Sequence, residues 1–235
     1  MSLLLTGVDV QAQLESEQLR LSNPISKASV VFWEANPALV VGIREMRLPR
    51  AVPAVERMAE AGWQVAVRRS GGSAFPVTQG VLNISLMTHV PVNLDLGYQQ
   101  FCEAIIAGLG PLGLPIAVGP TPGSFCDGRY NLMIDGRKIA GTSQQWRRLP
   151  GNQVRCLYHC GLLVDAVTNT LVEAVNRFYS EAGASPDSFV DAKVIANMRD
   201  FSSACTTSKA AFMLRNMVKD MNINNISRDN FQRQQ

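Results

Sequence analysis

The sequence predicts an α+β fold: a single domain of mixed and antiparallel sheets flanked by helices. Three observations carry that prediction. Short apolar or alternating runs of strand length come in hairpin-like groups, and stretches with helical spacing fall between groups rather than after every strand, which disfavours a doubly wound parallel sheet. A hydrophobic content of 46% over 235 residues supplies one large core. No internal repeat, low-complexity linker or change of composition marks a second domain.

Taken in order, Asp9 to Leu21 sets Val10, Leu14 and Leu21 among charged and amide residues, an amphipathic helix stopped by Ser22-Asn23-Pro24. The apolar runs Ser29 to Trp33 and Ala38 to Gly42 lie on either side of the turn formers Asn36-Pro37 and read as strands paired with each other. Pro53 opens a helix with Val55, Met58 and Ala59 inward, and Gly62 closes it in the left-handed position. Trp63 to Val67 follows as a strand. Val81 to Met87 alternates, with Asn83 and Ser85 opposite Leu82 and Ile84. Helical spacing returns through Phe101, Ile105, Ile106 and Leu109, and Pro111 to Pro115 breaks it. Asp135-Gly136 between Leu132-Met133-Ile134 and Arg137-Lys138-Ile139 predicts a hairpin, because Asp-Gly accepts positive φ at both central positions of a type I′ turn. Arg155 to Val164 reads as a core strand with Cys156 and Cys160 as small apolar fillers. Thr170 to Glu173 is a capping-box pattern ahead of a helix with Leu171, Val175 and Phe178 inward. A last helix is predicted over Thr207 to Met221, with Leu214, Met217, Val218 and Met221 on one stripe. The domain thus runs from residue 10 to 221, followed by a polar tail over 222–235.

Charge excludes some functions. The net charge is +3, and the basic residues are scattered apart from Arg68-Arg69 and Arg147-Arg148, so no nucleic-acid-binding face is predicted. Leu3-Leu4-Leu5 is too short for a secretory core, and no apolar run approaches the ~20 residues that cross a bilayer, which predicts a cytoplasmic protein without a membrane partner. Five cysteines, an odd set without metal-ligand spacing, are expected to be mostly free thiols, with no metal site. The lack of an accessory domain or coiled coil points to a monomer. His89, near Pro91, is given no role, Trp33 and Trp146 are read as packing residues, and His159 as a hydrogen-bonded structural histidine.

The chemistry concentrates in residues 123–144. Cys126 sits among Gly123, Ser124 and Gly128, where little side-chain bulk blocks access. In the hairpin that follows, Met133 opposes Lys138 and Ile134 opposes Arg137, so Lys138 lies on the face away from Leu132, Ile134 and Ile139. A thiolate is the attacking form of cysteine; a neighbouring ammonium favours it and also stabilises the oxygen that becomes negative when an acyl group is transferred. The small residues Ala140-Gly141-Thr142-Ser143 let a ligand approach the backbone.

The run Gly123-Ser124-Phe125-Cys126 through Tyr130, Leu132, Ile134, Gly136, Lys138, Ala140-Gly141, Ser143-Gln144 resembles the octanoate and lipoate protein transferases of the biotin/lipoate protein ligase superfamily. Within it the likeness is greatest to the cysteine-dependent octanoyl-[glycine cleavage H protein]:protein N-octanoyltransferases. Upstream, Arg68-Arg69-Ser70-Gly71-Gly72-Ser73-Ala74 and Gly80 to Leu86 resemble the superfamily's Arg-Arg-x-x-Gly-Gly-Gly loop and the strand after it. The resemblance covers residues 10 to 200 and implies a biotin/lipoate protein ligase type of catalytic domain. It implies that Cys126 takes an octanoyl or lipoyl group as a thioester and that Lys138 holds the carbonyl oxygen. It further implies that Gly71 and Gly72 wall an acyl tunnel whose mouth is completed by Arg69, Ser73 and Asn83, with Gly141 and Thr142 beside the chain. The partners implied are lipoyl carrier domains, namely the glycine cleavage H protein and 2-oxoacid dehydrogenase E2 subunits, together with acyl-carrier protein. No cofactor is implied, because the acyl group arrives on a protein.

Two departures bear on the alternatives. ATP-dependent lipoate ligases usually carry a third glycine and then a histidine in the first motif, where this chain has Ser73 and Pro76. They share the lysine but need no nucleophilic cysteine, so Cys126 is what separates the transferase reading from the ATP-using one. Cys156, in Arg155-Cys156-Leu157-Tyr158-His159-Cys160, faintly resembles the Cys-x-x-His loop of carrier-protein-dependent octanoyltransferases, but the apolar run after it favours a core strand. A third reading is a non-catalytic binder of lipoyl domains, met through Arg44 or Arg147-Arg148.

Overall fold

The computed structural model describes residues 3–23, 28–89, 93–149 and 153–217. The first half holds β1 (Leu4–Val8), α1 (Val10–Ser22), β2 (Ser29–Ala35), β3 (Ala38–Gly42), α2 (Ala51–Glu60), β4 (Gln64–Arg68), β5 (Phe75–Val77), β6 (Val81–His89) and α3 (Leu94–Leu109). The second half holds β7 (Ala117–Gly119), β8 (Asn131–Ile134), β9 (Arg137–Leu149), β10 (Gln153–Leu163), α4 (Thr168–Ala182) and α5 (Thr207–Leu214). Seven strands form one sheet in the order β1-β2-β6-β10-β9-β8-β7, antiparallel except for the β1-β2 pair, and β4-β3-β5 form a smaller mixed sheet. The α+β prediction holds.

The large sheet is buried on both faces. On one, Leu82, Ile84, Leu86, Leu132 and Ile139 pack with Phe101 and Ile105 of α3 and with Leu214 of α5. On the other, Trp33 and Leu163 meet Leu39 and Phe75 of the small sheet, with Met58 of α2 and Phe178 of α4 closing the layer. Asn83 and Ser85 stand opposite Leu82 and Ile84 as predicted, and they face the space between the sheets.

Several expectations change. β2 and β3 do not pair, because both edges of β2 are taken by β1 and β6, while β3 lies between β4 and β5. All five residues of β3 are buried, the continuous apolar run of a doubly covered strand rather than the alternation of a half-exposed hairpin. α2 starts at Ala51, with Pro53 still in the first turn, where its missing N–H has no helical partner to lose; its buried residues are Ala51, Ala54 and Met58, and Ala59 is exposed. α4 starts at Thr168 without a side-chain cap, so Thr170 lies inside the first turn and no capping box forms. The strand exit fixes that start, since Asn197 holds both backbone groups of Ala166. α5 ends at Leu214; Val218, Met221 and the tail 222–235 lie outside the described residues, as do Pro24, Pro91 and the His89 side chain.

α1 is fixed at both ends. Asp9 caps it by accepting from the Ala12 N–H at 2.9 Å, and the buried Arg155 guanidinium of β10 donates to the carbonyls of Arg20, Leu21 and Asn23 at its other end. The β8-β9 hairpin forms as predicted, with φ of 50° at Asp135 and 71° at Gly136, Met133 opposite Lys138 and Ile134 opposite Arg137. Beyond that, Leu132 pairs with Ala140, so Ile139 is an extra residue bulged into the ladder.

Candidate active site

The bulge decides the site. In an unbroken strand Lys138 and Gly141, three residues apart, would face opposite ways; with Ile139 and Ala140 both packed toward α3 and α5, they share the inner face. The Lys138 side chain is fully buried, and its ammonium donates to the carbonyls of Phe125 (2.6 Å) and Cys126 (2.9 Å). Two of its three N–H donors are so engaged. Burial pulls its pKa from 10.5 down to about 8, against the opposing pull of the nearby Cys126 and Asp127.

Cys126 is held in a left-handed backbone conformation, φ 48°, which a non-glycine residue adopts at a cost of about 1–3 kcal/mol. The surroundings enforce it from both sides. Its N–H donates to the Ser73 hydroxyl at 3.0 Å, and its carbonyl is gripped by Lys138. Its sulfur lies 3.4 Å from the Arg68 guanidinium, which also donates to the carbonyls of Gly71 and Ser73.

The sulfur lies on the wall of a largely apolar cavity between the two sheets, with about 490 Å³ of atom-free space including its open mouth. Val40, Phe75 and Val77 line it from the small sheet, and Trp33 and Leu14 from β2 and α1. Polar groups are few and placed: Asn83 donates to the carbonyls of Trp33 and Val81, and Ser85 accepts from the Trp33 indole at 2.9 Å. His159 borders the cavity and is paired with buried Glu17 at 2.7 Å. Burial pushes the Glu17 pKa up, but His159, Ser85 and Gln13 together hold it below the ordinary carboxylate value. Gly141 and Gly161 are paired across β9 and β10. A Cβ on Gly161 would stand 2.3 Å from the Phe75 ring, and one on Gly141 3.1 Å from the Lys138 ammonium, so the glycines make room for the ring and the cation.

Of the residues singled out in the sequence, Cys126, Asn83, Gly141 and Thr142 line this cavity, and Lys138 stands behind Gly141. Gly72, at φ 101°, packs directly on the thiol. Ser73 holds the Cys126 backbone, and Gly71 lends its carbonyl to Arg68, so neither is a cavity wall. Arg69 is exposed and takes no part in the cavity; its neighbour Arg68 does. The alternation of β4 explains the exchange, since Ala66 and Arg68 point inward while Val67 is exposed. Arg68 stands in the quoted motif without an assigned role and Phe75 lies outside it, because an inward arginine beside an outward valine inverts the usual pattern.

All five cysteines are free thiols, where most were expected to be. Burial pushes Cys102 and Cys156 up to about 12 and raises Cys160 as well, so these stay protonated at neutral pH. Cys160 borders the cavity, but within the core of the sheet. No group of three or more His, Cys, Asp or Glu able to hold a metal occurs among the described residues.

With this geometry in view, the comparison with known families is specific: the lipoyl protein ligase A/B catalytic domain matches residues 9–216. The chain belongs to that family. It is similar to the octanoyl-[GcvH]:protein N-octanoyltransferases of Bacillus velezensis, at 36% identity over 160 residues, 67% of this chain and 54% of that one, and of Geobacillus kaustophilus, at 34% over 157 residues, 66% and 54%. The chain spans about half the length of these curated relatives. Its fold is similar to that of lipoate-protein ligase A bound with ATP, with TM-score 0.68 at 18% identity over 97% of this chain and 84% of that one. No helix among the described residues is long and apolar enough to cross a membrane.

Proposed function

We propose that the chain moves an octanoyl or lipoyl group between lysines of lipoyl carrier domains through a thioester on Cys126. The observation that carries this reading is the Cys126 sulfur on the wall of an apolar cavity, 3.4 Å from a buried guanidinium, with its carbonyl held by the buried Lys138. The thiolate attacks the acyl carbonyl of a donor; the C–S bond forms, the C–N bond of the donor amide breaks, and the leaving lysine nitrogen takes up the proton the thiol gave up. The N–H of Lys138 not used by the loop carbonyls stabilises the carbonyl oxygen as it becomes negative. Arg68 balances charge on the sulfur as it attacks and later leaves. An acceptor lysine then reverses the sequence. The relatives' name supports the glycine cleavage H protein as one carrier; E2 lipoyl domains, and acyl-carrier protein as an alternative donor, complete the proposal. Since the acyl group is already on a protein, no nucleotide is consumed.

The likeness to an ATP-bound ligase keeps one competitor, a lipoate ligase acting through lipoyl-AMP. Purified protein is expected to transfer octanoyl from octanoylated H protein to an apo-lipoyl domain at the same rate with and without ATP, and to release no pyrophosphate from ATP and free lipoate. Pyrophosphate release that depends on lipoate would establish the ligase instead.

Gly72 supplies a sharper structural check. A Cβ there would stand 2.4 Å from the Cys126 sulfur and 2.6 Å from the Arg68 guanidinium, so both must move. Gly72→Ala is expected to slow acyl-adduct formation about 100-fold, while stability falls by only about 1–2 kcal/mol for alanine at positive φ. Single-turnover mass spectrometry and denaturant titration separate the two effects.

A further inference from the structure

Two groups hold Cys126 in its left-handed conformation, and they differ in how firmly they are themselves held. Lys138 stands in β9, inside the ladder of the large sheet. Ser73, whose hydroxyl accepts the Cys126 N–H at 3.0 Å, stands in the irregular stretch between β4 and β5, where Gly72 has a φ of 101° and no strand ladder fixes the chain. A hydroxyl on such a loop can turn, so its aim at one N–H needs a second holder. Tyr179 supplies it. Its oxygen accepts from the N–H of fully buried Ala74 at 3.1 Å, and the Ser73 O–H donates to the same oxygen. Burial raises the Tyr179 pKa, and these two bonds, which favour the ionised phenol, pull against it.

The phenol is in turn fixed by its helix. Tyr179 lies in the last turn of α4, 5% exposed, in the same core as Ala74, Phe75 and Cys126. Gly183, at φ 76°, closes that turn, and the N–H groups of Gly183 and Ala184 both donate to the Tyr179 carbonyl. An unbroken line thus runs from the Cys126 N–H through the Ser73 hydroxyl to a helix that contributes no residue to the acyl cavity. We propose that Tyr179 is a positioning residue for the nucleophile: by aiming the Ser73 hydroxyl, it keeps Cys126 in the conformation that puts its sulfur on the cavity wall beside Arg68. The inference rests on the acyl-transfer reading above. Tyr179 exchanges no proton with substrate. What it sets is how closely the sulfur is aimed at the acyl carbonyl, and a misplacement of about 1 Å can cost about 100-fold in rate.

The test is a double-mutant cycle on the full chain with octanoylated H protein as donor, read as the single-turnover rate of thioester formation against donor concentration. Tyr179→Phe keeps the ring and removes the oxygen alone, and Ser73→Ala leaves α4 untouched. Each is expected to lower the limiting rate about tenfold and to leave the half-saturating donor concentration within about twofold. The double variant is expected to be no slower than the slower single one, because both changes remove the same line of bonds. Amide hydrogen exchange gives a readout that needs no acyl group: the Cys126 N–H should exchange at least about tenfold faster in both single variants than in wild type. Three results would each overturn the inference: losses that multiply to about 100-fold in the double variant, an unchanged limiting rate in folded Tyr179→Phe, or a Cys126 amide that exchanges there as in wild type. A wild type that forms no thioester removes the acyl-transfer reading instead, and exchange at Cys126 then decides alone whether Tyr179 holds that residue.

Discussion

Cys126→Ala is expected to abolish the octanoyl adduct seen by intact mass after incubation with octanoylated H protein, and to lower transfer to an apo-lipoyl domain by at least about 10³-fold, the scale on which a covalent nucleophile is lost. The wild-type adduct should be single, map to the Cys126 peptide and be released by hydroxylamine. Singleness follows from the other thiols. Cys102 and Cys156 are pushed up to about 12 by burial, Cys160 is raised further into the core, and Cys205 is buried among core residues. Only Cys126 combines a place on the cavity wall with a guanidinium on its sulfur. A hydroxylamine-labile thioester that persists in Cys126→Ser, or full transfer by Cys126→Ala, would discard the mechanism.

How much of this site could be seen in the chain alone depends on how local the determinant is. The Asp135-Gly136 turn fixes its own register, so the placement of Lys138 opposite Met133 and away from Leu132 followed from six residues. The glycine-bracketed Cys126 loop was legible for the same reason. Non-local pairing was not. Nothing within Ser29 to Gly42 says that both edges of β2 are claimed by strands from elsewhere, and so the two adjacent runs looked like a hairpin. The bulge at Ile139 puts Lys138 and Gly141 on one face, and beside it the Lys138 carbonyl accepts from the Ala196 N–H at 2.9 Å, a contact 58 residues away in the chain that no local motif announces. Arg69 was preferred to Arg68 because motif and polarity alone carry no phase; the phase of β4 comes from its packing beneath α2, which a short Gln-Val-Ala-Val-Arg run does not reveal.

Lys138→Met should separate catalysis from folding. The substitution removes a buried charge, which relieves the fold, and leaves the carbonyls of Phe125 and Cys126 without their donor, which costs about 1–3 kcal/mol apiece. These oppose one another, so the net change in stability near pH 7 is expected within about 2 kcal/mol. Activity has no such offset. The ammonium would be both the clamp on the Cys126 loop and the donor to the developing oxyanion, and its removal is expected to slow thioester formation about 10³-fold. The pH dependence gives a second, independent sign. With its pKa depressed from 10.5 to about 8 in the folded state, Lys138 binds fewer protons folded than unfolded between those values. Folding stability therefore rises with pH across that window through this group, and below pH 8 the full penalty of the buried charge is present. Wild type should gain on Lys138→Met by up to about 3 kcal/mol between pH 8 and 10.5 in paired denaturant titrations. The rate of thioester formation should do the reverse in wild type, falling as the ammonium loses its proton above about pH 8, and that limb should be missing from the residual rate of the methionine variant. An unchanged alkaline limb in Lys138→Met, or a rate within threefold of wild type, would show that the ammonium only props the loop and that the oxyanion is stabilised elsewhere.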